Sequence, residues 1–426
     1  RTPTNENLKS VEYYMKNLFT LLRYLLIWPY NSFTTLKYLW VLAAVTTFLV
    51  TNFLLIVTEI IAVIGGRNLQ RFANGIGTLG LHTTGLAKWL FCIRRNQDII
   101  DLMNQLEKCH LLSKSIDNRE KARKNYEEIM EESRWNVNML AKMWPCYVGY
   151  GVLHWCTNPL ILKNILKDFD IENTNMTTLP DTAFPYIAWY PWDVTKTNNY
   201  FYTYLLQVVG GFSAALGTAS FDVLYVSMLI FTSGQLLYLN NSLCYTDDGS
   251  CVFTNGELLE KLRKSIDHHT EVMKFLNNME TLLNPMMFIQ CLETMTVICL
   301  LSFEASADVR CAMKLTSMLE YFLGTGMQLY LFCFNATRIK YLGLEVAESA
   351  YSCGWEIISD KKNYVRSHYT SINDIECLVK MMMARAQKPL LLTGGPFYEL
   401  SLETFKAIMG MAVSNSVILR QAAESD

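Results

Sequence analysis

The chain has 426 residues, 51% of them hydrophobic and only 18% charged, with a formal net charge of −2. A soluble domain carries nearer a quarter charged residues, and a balanced charge offers no basic field, so no nucleic-acid partner is expected. Mean hydropathy is only mildly positive, so long polar stretches must alternate with very apolar ones. The 12 cysteines are scattered through apolar runs and basic loops rather than spaced as a secreted framework, and free thiols are expected.

The chain opens on Arg1 rather than Met, so its natural start is expected to lie upstream. No basic-then-apolar leader with a cleavage site opens it, and the first apolar run is expected to act as its own insertion signal. A helix crossing a bilayer needs about 20 mostly apolar residues. Runs of that kind predict seven spans: Leu36 to Ile64, Leu69 to Ile93, Val137 to Leu162, Tyr200 past Tyr238, Asn278 to Phe303, Cys311 to Phe334, and Leu400 to Leu419. The fold class expected is an all-α membrane protein with seven transmembrane helices. Its organisation reads as a cytosolic segment over 1–35, spans one to six over 36–334, a cytosolic helical anchor over 335–399, and a last span over 400–422.

Orientation follows from Lys and Arg. The loop between spans two and three holds Arg94, Arg95, Lys108, Lys114, Arg119, Lys121, Arg123, Lys124 and Arg134, whereas the loop between spans three and four has Lys163, Lys167 and Lys196 beside several acids. This bias puts the N-terminus in the cytosol and the C-terminus outside. The sequon Asn175-Met176-Thr177 falls in the outer loop, where a glycan can be added. Those at Asn240 and Asn335 fall where they would be silent.

Two polar segments read as amphipathic helices. Leu258, Leu262, Ile266, Val272, Met273 and Leu276 form a stripe that runs into span five. Ile372, Ile375, Val379, Met382 and Ala386 form another, ended by Lys388-Pro389, and Gly394-Gly395-Pro396 makes a turn before the last span. They read either as two cytosolic helices packed together or as an oligomerisation platform, and the two are compatible.

Most motifs fail on context. Gly75-Ile76-Gly77-Thr78-Leu79-Gly80 matches the dinucleotide fingerprint, yet no strand precedes it and no acid follows at the expected spacing. Small residues inside an apolar helix serve close packing or leave room for a ligand. Adjacent His268 and His269 point to different helix faces, so a solvated face is expected rather than a metal site. No catalytic constellation is present, and no enzyme, cofactor or metal is expected.

Ionisable residues inside the spans are Glu59, Lys88, Lys142, Asp222, Glu280, Glu293, Lys314, Glu320 and Lys406. Some can snorkel from helix ends. Glu293 and Glu320 sit deeper and read as functional or as an internal polar pair. The outer half of span three carries Tyr147, Tyr150, Gly151, His154 and Trp155. Aromatic walls beside a glycine suit a small apolar ligand, and an interfacial aromatic belt is the other reading.

The C-terminal third resembles the insect odorant receptors. The residues that carry this are Ala350-Tyr351-Ser352-Cys353-Gly354-Trp355, Gln387-Lys388-Pro389-Leu390, Thr393-Gly394-Gly395, and Phe397-Tyr398-Glu399-Leu400-Ser401-Leu402-Glu403-Thr404-Phe405. The resemblance implies a heterotetrameric, odorant-gated, non-selective cation channel in the plasma membrane of sensory-neuron dendrites. Coreceptor subunits would be its partners, with a small apolar volatile molecule as ligand. The loop from Asn240 to Gly256 is short where the coreceptor has a long insertion, so the chain looks like a tuning subunit. In the same terms the last span resembles the pore-lining helix. Gly410 falls at the family's glycine position, Ile418 at the hydrophobic gate and Gln421 at the polar ring facing permeating cations, while Ala422 stands where the coreceptor is bulkier. The resemblance also implies a ligand pocket in the outer halves of spans two, three, four and six, with Gly151 and Trp155 similar to a pocket-lining pair. Phe72, Ile76, Tyr204, Val208 and Tyr321 join them as candidates by depth and size, beside Tyr147.

Three other classes compete. A metabotropic seven-helix receptor would need the reverse topology. A transporter would show an inverted repeat, and none is convincing. A homotetrameric gustatory-receptor channel of the same superfamily would need no coreceptor.

Overall fold

The apolar runs fold as long helices. The structure is a computed structural model that describes residues 9–29, 34–65, 69–164, 183–244, 254–307, 312–355 and 369–425. Seven helices there have 24 residues or more: α3 (Thr35–Gly65), α4 (Leu69–Arg94), α6 (Glu120–Asn164), α7 (Thr197–Leu243), α8 (Asn255–Ala307), α9 (Ala312–Tyr351) and α11 (Leu402–Ser425). Shorter helices are α1 (Val11–Tyr14), α2 (Lys16–Tyr24), α5 (Asn96–Ser115) and α10 (Tyr369–Ala386). Asn175 lies outside the described residues.

By length and composition alone, α3, α7 and Gly256–Ser302 of α8 reach the apolarity of a membrane span among the described residues. Among the other long helices, α4 and α9 are less apolar because they carry polar side chains inside the bundle: His82 and Lys88 on α4, Gln328 and Asn335 on α9, all buried. At 1.5 Å per residue, the 53 residues of α8 reach about 80 Å, far beyond a hydrocarbon core of about 30 Å. Span five and its preceding amphipathic stripe are therefore one unbroken helix. Residue 335, expected as a boundary, falls inside α9.

Helix α7 is the axis. It packs against α3, α4, α5, α6, α8 and α9, and 89% of its most apolar window is buried. Two glycines let α4 reach it: a Cβ at Gly85 would strike the Ala214 backbone, and one at Gly217 would strike the Gly85 carbonyl.

The far end of the bundle is densely apolar. Leu18 and Leu22 of α2, Leu106 of α5, Tyr126 of α6, Tyr238 of α7 and Leu262 of α8 are all buried there. Helix α10 lays Ile375, Val379, Met382 and Ala386 onto α8 and α9. The amino-terminal helices are tied to α5 and α6 by polar contacts. Asn138 Nδ2 donates to the Tyr14 carbonyl at 2.8 Å, and the Val11 amide donates to Glu107 Oε2 at 2.6 Å. His110 is buried between them, and the Lys9 carbonyl 2.9 Å away can only accept, so Nε2 carries the proton. Nδ1 then accepts from the Tyr126 hydroxyl at 2.5 Å. Burial lowers the His110 pKa from 6.5 to about 4.

One expectation is corrected here. His268 and His269 do not form a solvated face; both are buried, because α5, α7 and α10 cover this stretch of α8. His268 Nε2 lies 3.3 Å from Gln235 Oε1. The ten described cysteines are free.

The turn expected at Gly394-Gly395-Pro396 is the tip of a hairpin. Strands β1 (Thr393–Gly394) and β2 (Tyr398–Glu399) pair antiparallel, Thr393 opposite Glu399. Gly395 has φ of +74°, which a side chain would resist. Glu280 of α8 accepts from the Thr393 amide at 3.1 Å and from its hydroxyl, and Asn284 Oδ1 accepts from the Gly395 amide at 3.1 Å. Lys340 of α9 pairs with Glu399 at 2.7 Å. The start of α11 is thus fastened to both neighbours.

Candidate ligand cavity

Between α4, α6, α7 and α9 lies a cavity of about 100 Å³. It sits in the half of the bundle nearer the α3–α4, α6–α7 and α8–α9 connections. Leu81 comes from α4, Val148 and Val152 from α6 and Ala215 from α7, and Trp144, Tyr147, Trp155, Tyr186 and Tyr321 add aromatic rings to the wall.

Each aromatic polar tip is engaged by the protein. Trp155 Nε1 donates to the Pro185 carbonyl at 2.8 Å, and the Tyr147 hydroxyl donates to the Glu320 carbonyl at 3.3 Å. The Tyr321 hydroxyl reaches the Gly77 carbonyl at 3.5 Å. Tyr186, from the α6–α7 connection, closes one side. Gln207 holds it there by accepting from its amide at 2.9 Å and donating to its carbonyl at 3.0 Å. Rings anchored at their tips lose little freedom when a ligand arrives, which favours binding.

The floor is a buried polar network. Lys88 Nζ pairs with Asp222 Oδ1 at 2.7 Å, both almost fully buried. Asp222 Oδ2 accepts from Trp144 Nε1 at 3.1 Å and from Gln328 Nε2 at 2.6 Å, and Trp144 and Gln328 both line the cavity. Gln290 of α8 donates to Gln328 at 3.1 Å and to Glu293 at 2.6 Å. The floor therefore joins α4, α6, α7 and α9 to α8, and α8 packs on α11. A second side-chain hydrogen bond crosses the wall, with His154 Nδ1 at 2.6 Å from Glu320 Oε2.

Of the residues expected at a pocket, Tyr147, Gly151, Trp155 and Tyr321 line this cavity. Phe72, Ile76, Tyr204 and Val208 are not part of its lining. Phe72 is exposed near the start of α4 and Ile76 is half-buried. The Tyr204 hydroxyl donates to the Cys156 carbonyl, and Val208 packs beside Tyr186 and Leu55. Trp144, Gln328, Tyr186 and Thr78 line the cavity without having been expected. Lys88 and Asp222 stood out in the sequence as intramembrane charges, but 134 positions separate the partners.

Helix α11 buries Ile408 and Ala412, and Glu403, Ala407, Gly410, Ser414, Val417 and Gln421 are exposed at alternating three- and four-residue steps. These positions form one bare helix face. Ile418 and Ala422 lie on α11 with side chains outside the described ones.

A family model described as 7tm Odorant receptor matches residues 68–413. The chain belongs to the odorant receptor family. Among curated relatives, odorant receptor 13a of Drosophila melanogaster is 23% identical over 282 residues, covering 65% of this chain and 64% of the relative. Odorant receptor 10 of Aedes albopictus is 23% identical over 229 residues, covering 54% of this chain and 57% of the relative. The match thus spans less than two thirds of the length of these two relatives. The odorant receptor coreceptor of Aedes aegypti is similar too, 19% identical over 371 residues, covering 68% of this chain and 75% of that protein. The olfactory receptor OR5 from Machilis hrabei in complex with eugenol superposes with a TM-score of 0.76 at 16% identity, covering 97% of this chain and 98% of that one. This odorant receptor chain thus shares the fold of that protein and is a membrane protein of the seven-helix type.

Proposed function

We propose that this chain is the odorant-binding, tuning subunit of a heteromeric ligand-gated cation channel in the plasma membrane. A small apolar volatile molecule binds in the cavity between α4, α6, α7 and α9, and binding opens a pore lined by α11 from this subunit and from coreceptor subunits. The observation that carries this reading is the cavity itself: a chamber walled by Trp144, Tyr147, Trp155 and Tyr321, with its floor hydrogen-bonded to α8. Helix α8 supports α11, so a change at Gln328 has a short mechanical route to the last helix. The bare α11 face suits a wall shared with neighbouring subunits: small or polar at Gly410, Ser414 and Gln421, where permeating cations would be partly dehydrated. In this reading the N-terminus is cytosolic, the apolar far end is a cytosolic anchor, Ile418 seals the closed pore, and Asn175 is glycosylated outside.

The test is current recording from cells expressing this chain with and without a coreceptor, against a panel of volatile compounds. Ligand-evoked cation current that requires both chains supports the proposal. Current from this chain alone favours a homomeric channel, and a second-messenger response without current rejects the channel reading.

A further inference from the structure

The cavity lining holds six polar side chains in an otherwise apolar and aromatic wall, and the protein satisfies four of them. Thr78 Oγ1 donates to the Gly75 carbonyl at 3.2 Å, Thr325 Oγ1 to the Tyr321 carbonyl at 2.9 Å, and Ser317 Oγ accepts from Asn158 at 2.6 Å. Gln328 is held by Asp222 and Gln290. Two lining residues keep a polar atom without a protein partner: Thr218 Oγ1 and Glu320 Oε1. The two differ in kind. A helical threonine hydroxyl can turn onto a carbonyl of its own helix, but a carboxylate oxygen only accepts and has nothing of its own to turn to.

Glu320 is placed for use. Its Oε2 is taken by His154 at 2.6 Å, which fixes the carboxylate plane. Its Oε1 stands over Gly151, 3.6 Å from where a Cβ would be, so a side chain longer than alanine there would crowd that oxygen. Tyr147 donates to the backbone carbonyl of the same residue, so α6 grips Glu320 at both its main chain and its side chain. A buried acceptor without a donor costs free energy, and a ligand that expels water from the chamber without replacing its hydrogen bonds makes that cost permanent.

We infer that Glu320 Oε1 is a specificity anchor, and that the cavity selects apolar molecules carrying one N–H or O–H donor over donorless molecules of the same shape. This rests on the proposed function and narrows it: the ligand class is a small alcohol, phenol or amine with an aromatic-sized apolar body. Sites built to bond a ligand hydroxyl or amine reject the analogue lacking it more strongly than apolar pockets reject a missing methylene.

The experiment uses the full chain co-expressed with a coreceptor and matched probes: benzyl alcohol and benzylamine against methyl benzyl ether and ethylbenzene. Half-maximal concentrations are read from currents, and dissociation constants are read from binding to the purified complex. The donors should act at concentrations on the order of 10- to 100-fold lower than the donorless probes, the range of a hydrogen bond to a charged acceptor. In Glu320→Leu that ratio should fall to near one; Glu320→Gln, which retains an acceptor oxygen, should stand between. An amine that outranks the alcohol marks charge pairing and an alcohol that outranks the amine marks a neutral hydrogen bond, and either supports the anchor. Donor and donorless probes binding equally to the unsubstituted complex overturn it, with no variant needed, as does a ratio that survives in Glu320→Leu. Donor-selective binding without any current keeps the anchor and instead rejects the channel reading.

Discussion

The two ends of this bundle solve opposite problems with the same helices. At the apolar far end α5, α8 and α10 close around a mostly apolar core, in which His110 sits uncharged and the Lys261–Asp117 pair is one of few buried charges. At the cavity end α6, α7 and α9 enclose empty volume, and polar pairs are set into its surround: Lys88 with Asp222 and His82 with Glu59, fully or nearly buried, and His154 with Glu320, half-buried. A filled core is held by packing and gains little from buried ions. A chamber cannot be held that way, because its walls have no contacts across the gap. Directional bonds hold the walls in place of packing, and they link each wall to a helix beyond it.

The largest effect expected from breaking this contrast is at the floor. Asp222→Leu leaves the Lys88 ammonium buried without its ion-pair partner, and removing one partner of such a pair costs about 3–5 kcal/mol. Thermal unfolding of the detergent-solubilised complex should show the loss. The double variant Lys88→Met with Asp222→Leu should regain most of it, since the unpaired charge is gone. If the double variant is as unstable as the single one, the pair is not what fixes the floor.

Acid should separate the ends in the other direction. His110 has its pKa lowered to about 4 in the folded chain, against about 6.5 when unfolded. The unfolded chain therefore binds the proton first, so this stability is fully present above pH 6.5 and is lost as pH falls from there toward 4. The loss is on the order of 3 kcal/mol from this one group. His110→Phe should flatten the pH dependence of the unfolding midpoint over that window. An unchanged slope in the variant would place the acid sensitivity elsewhere.

The hairpin before α11 lies between the two ends, and its loss should matter less for folding than for coupling. Glu280→Ala removes the acceptor for both Thr393 donors, and a part-buried site of this kind is expected to lose about 1–3 kcal/mol. The sharper readout is the current at saturating ligand relative to ligand affinity. A weakened clamp should lower the maximal current while the binding constant measured on the purified complex stays unchanged. A shift in binding alone, with full current, would make Glu280 part of the ligand site instead.

What the sequence made legible divides along the same line. Helix length and the 3.6-residue stripe are local signals, so the long helices and the α8 and α10 stripes could be read directly. Gly151 and Trp155 could be read as a pair because they sit one turn apart on one helix. Depth along α4 and α7 and side-chain size point to Phe72, Ile76, Tyr204 and Val208, and neither gives rotation. Rotation is set where Gly85 and Gly217 let the two backbones meet, and this turns Thr78 and Leu81 of α4, with Ala215 and Thr218 of α7, toward the chamber. The Lys88–Asp222 pair was hidden for the same reason: partners on different helices are fixed by packing, not by spacing. The histidines of α8 were misplaced because a polar pair on a polar stripe gives no sign of a third helix covering it.

The smallest expected effect concerns the glycine run of α4, which spells a nucleotide motif and packs as a membrane helix. Its glycines are not equivalent. A Cβ at Gly77 meets nothing within 4 Å, whereas one at Gly75 falls 2.7 Å from Val63 Cγ2 of α3. A glycine inside a helix costs roughly 0.5–1 kcal/mol relative to alanine through backbone entropy. Gly77→Ala should therefore raise stability by about that amount. At Gly75→Ala the same gain is offset by the shift forced on Val63, so the net change should be near zero or destabilising. Unfolding midpoints of the two variants decide it: a gain at residue 77 larger than at residue 75 follows from packing between α3 and α4. Equal losses at both would mean that some contact to the Gly77 backbone, such as the Tyr321 hydroxyl at its carbonyl, needs the glycine itself.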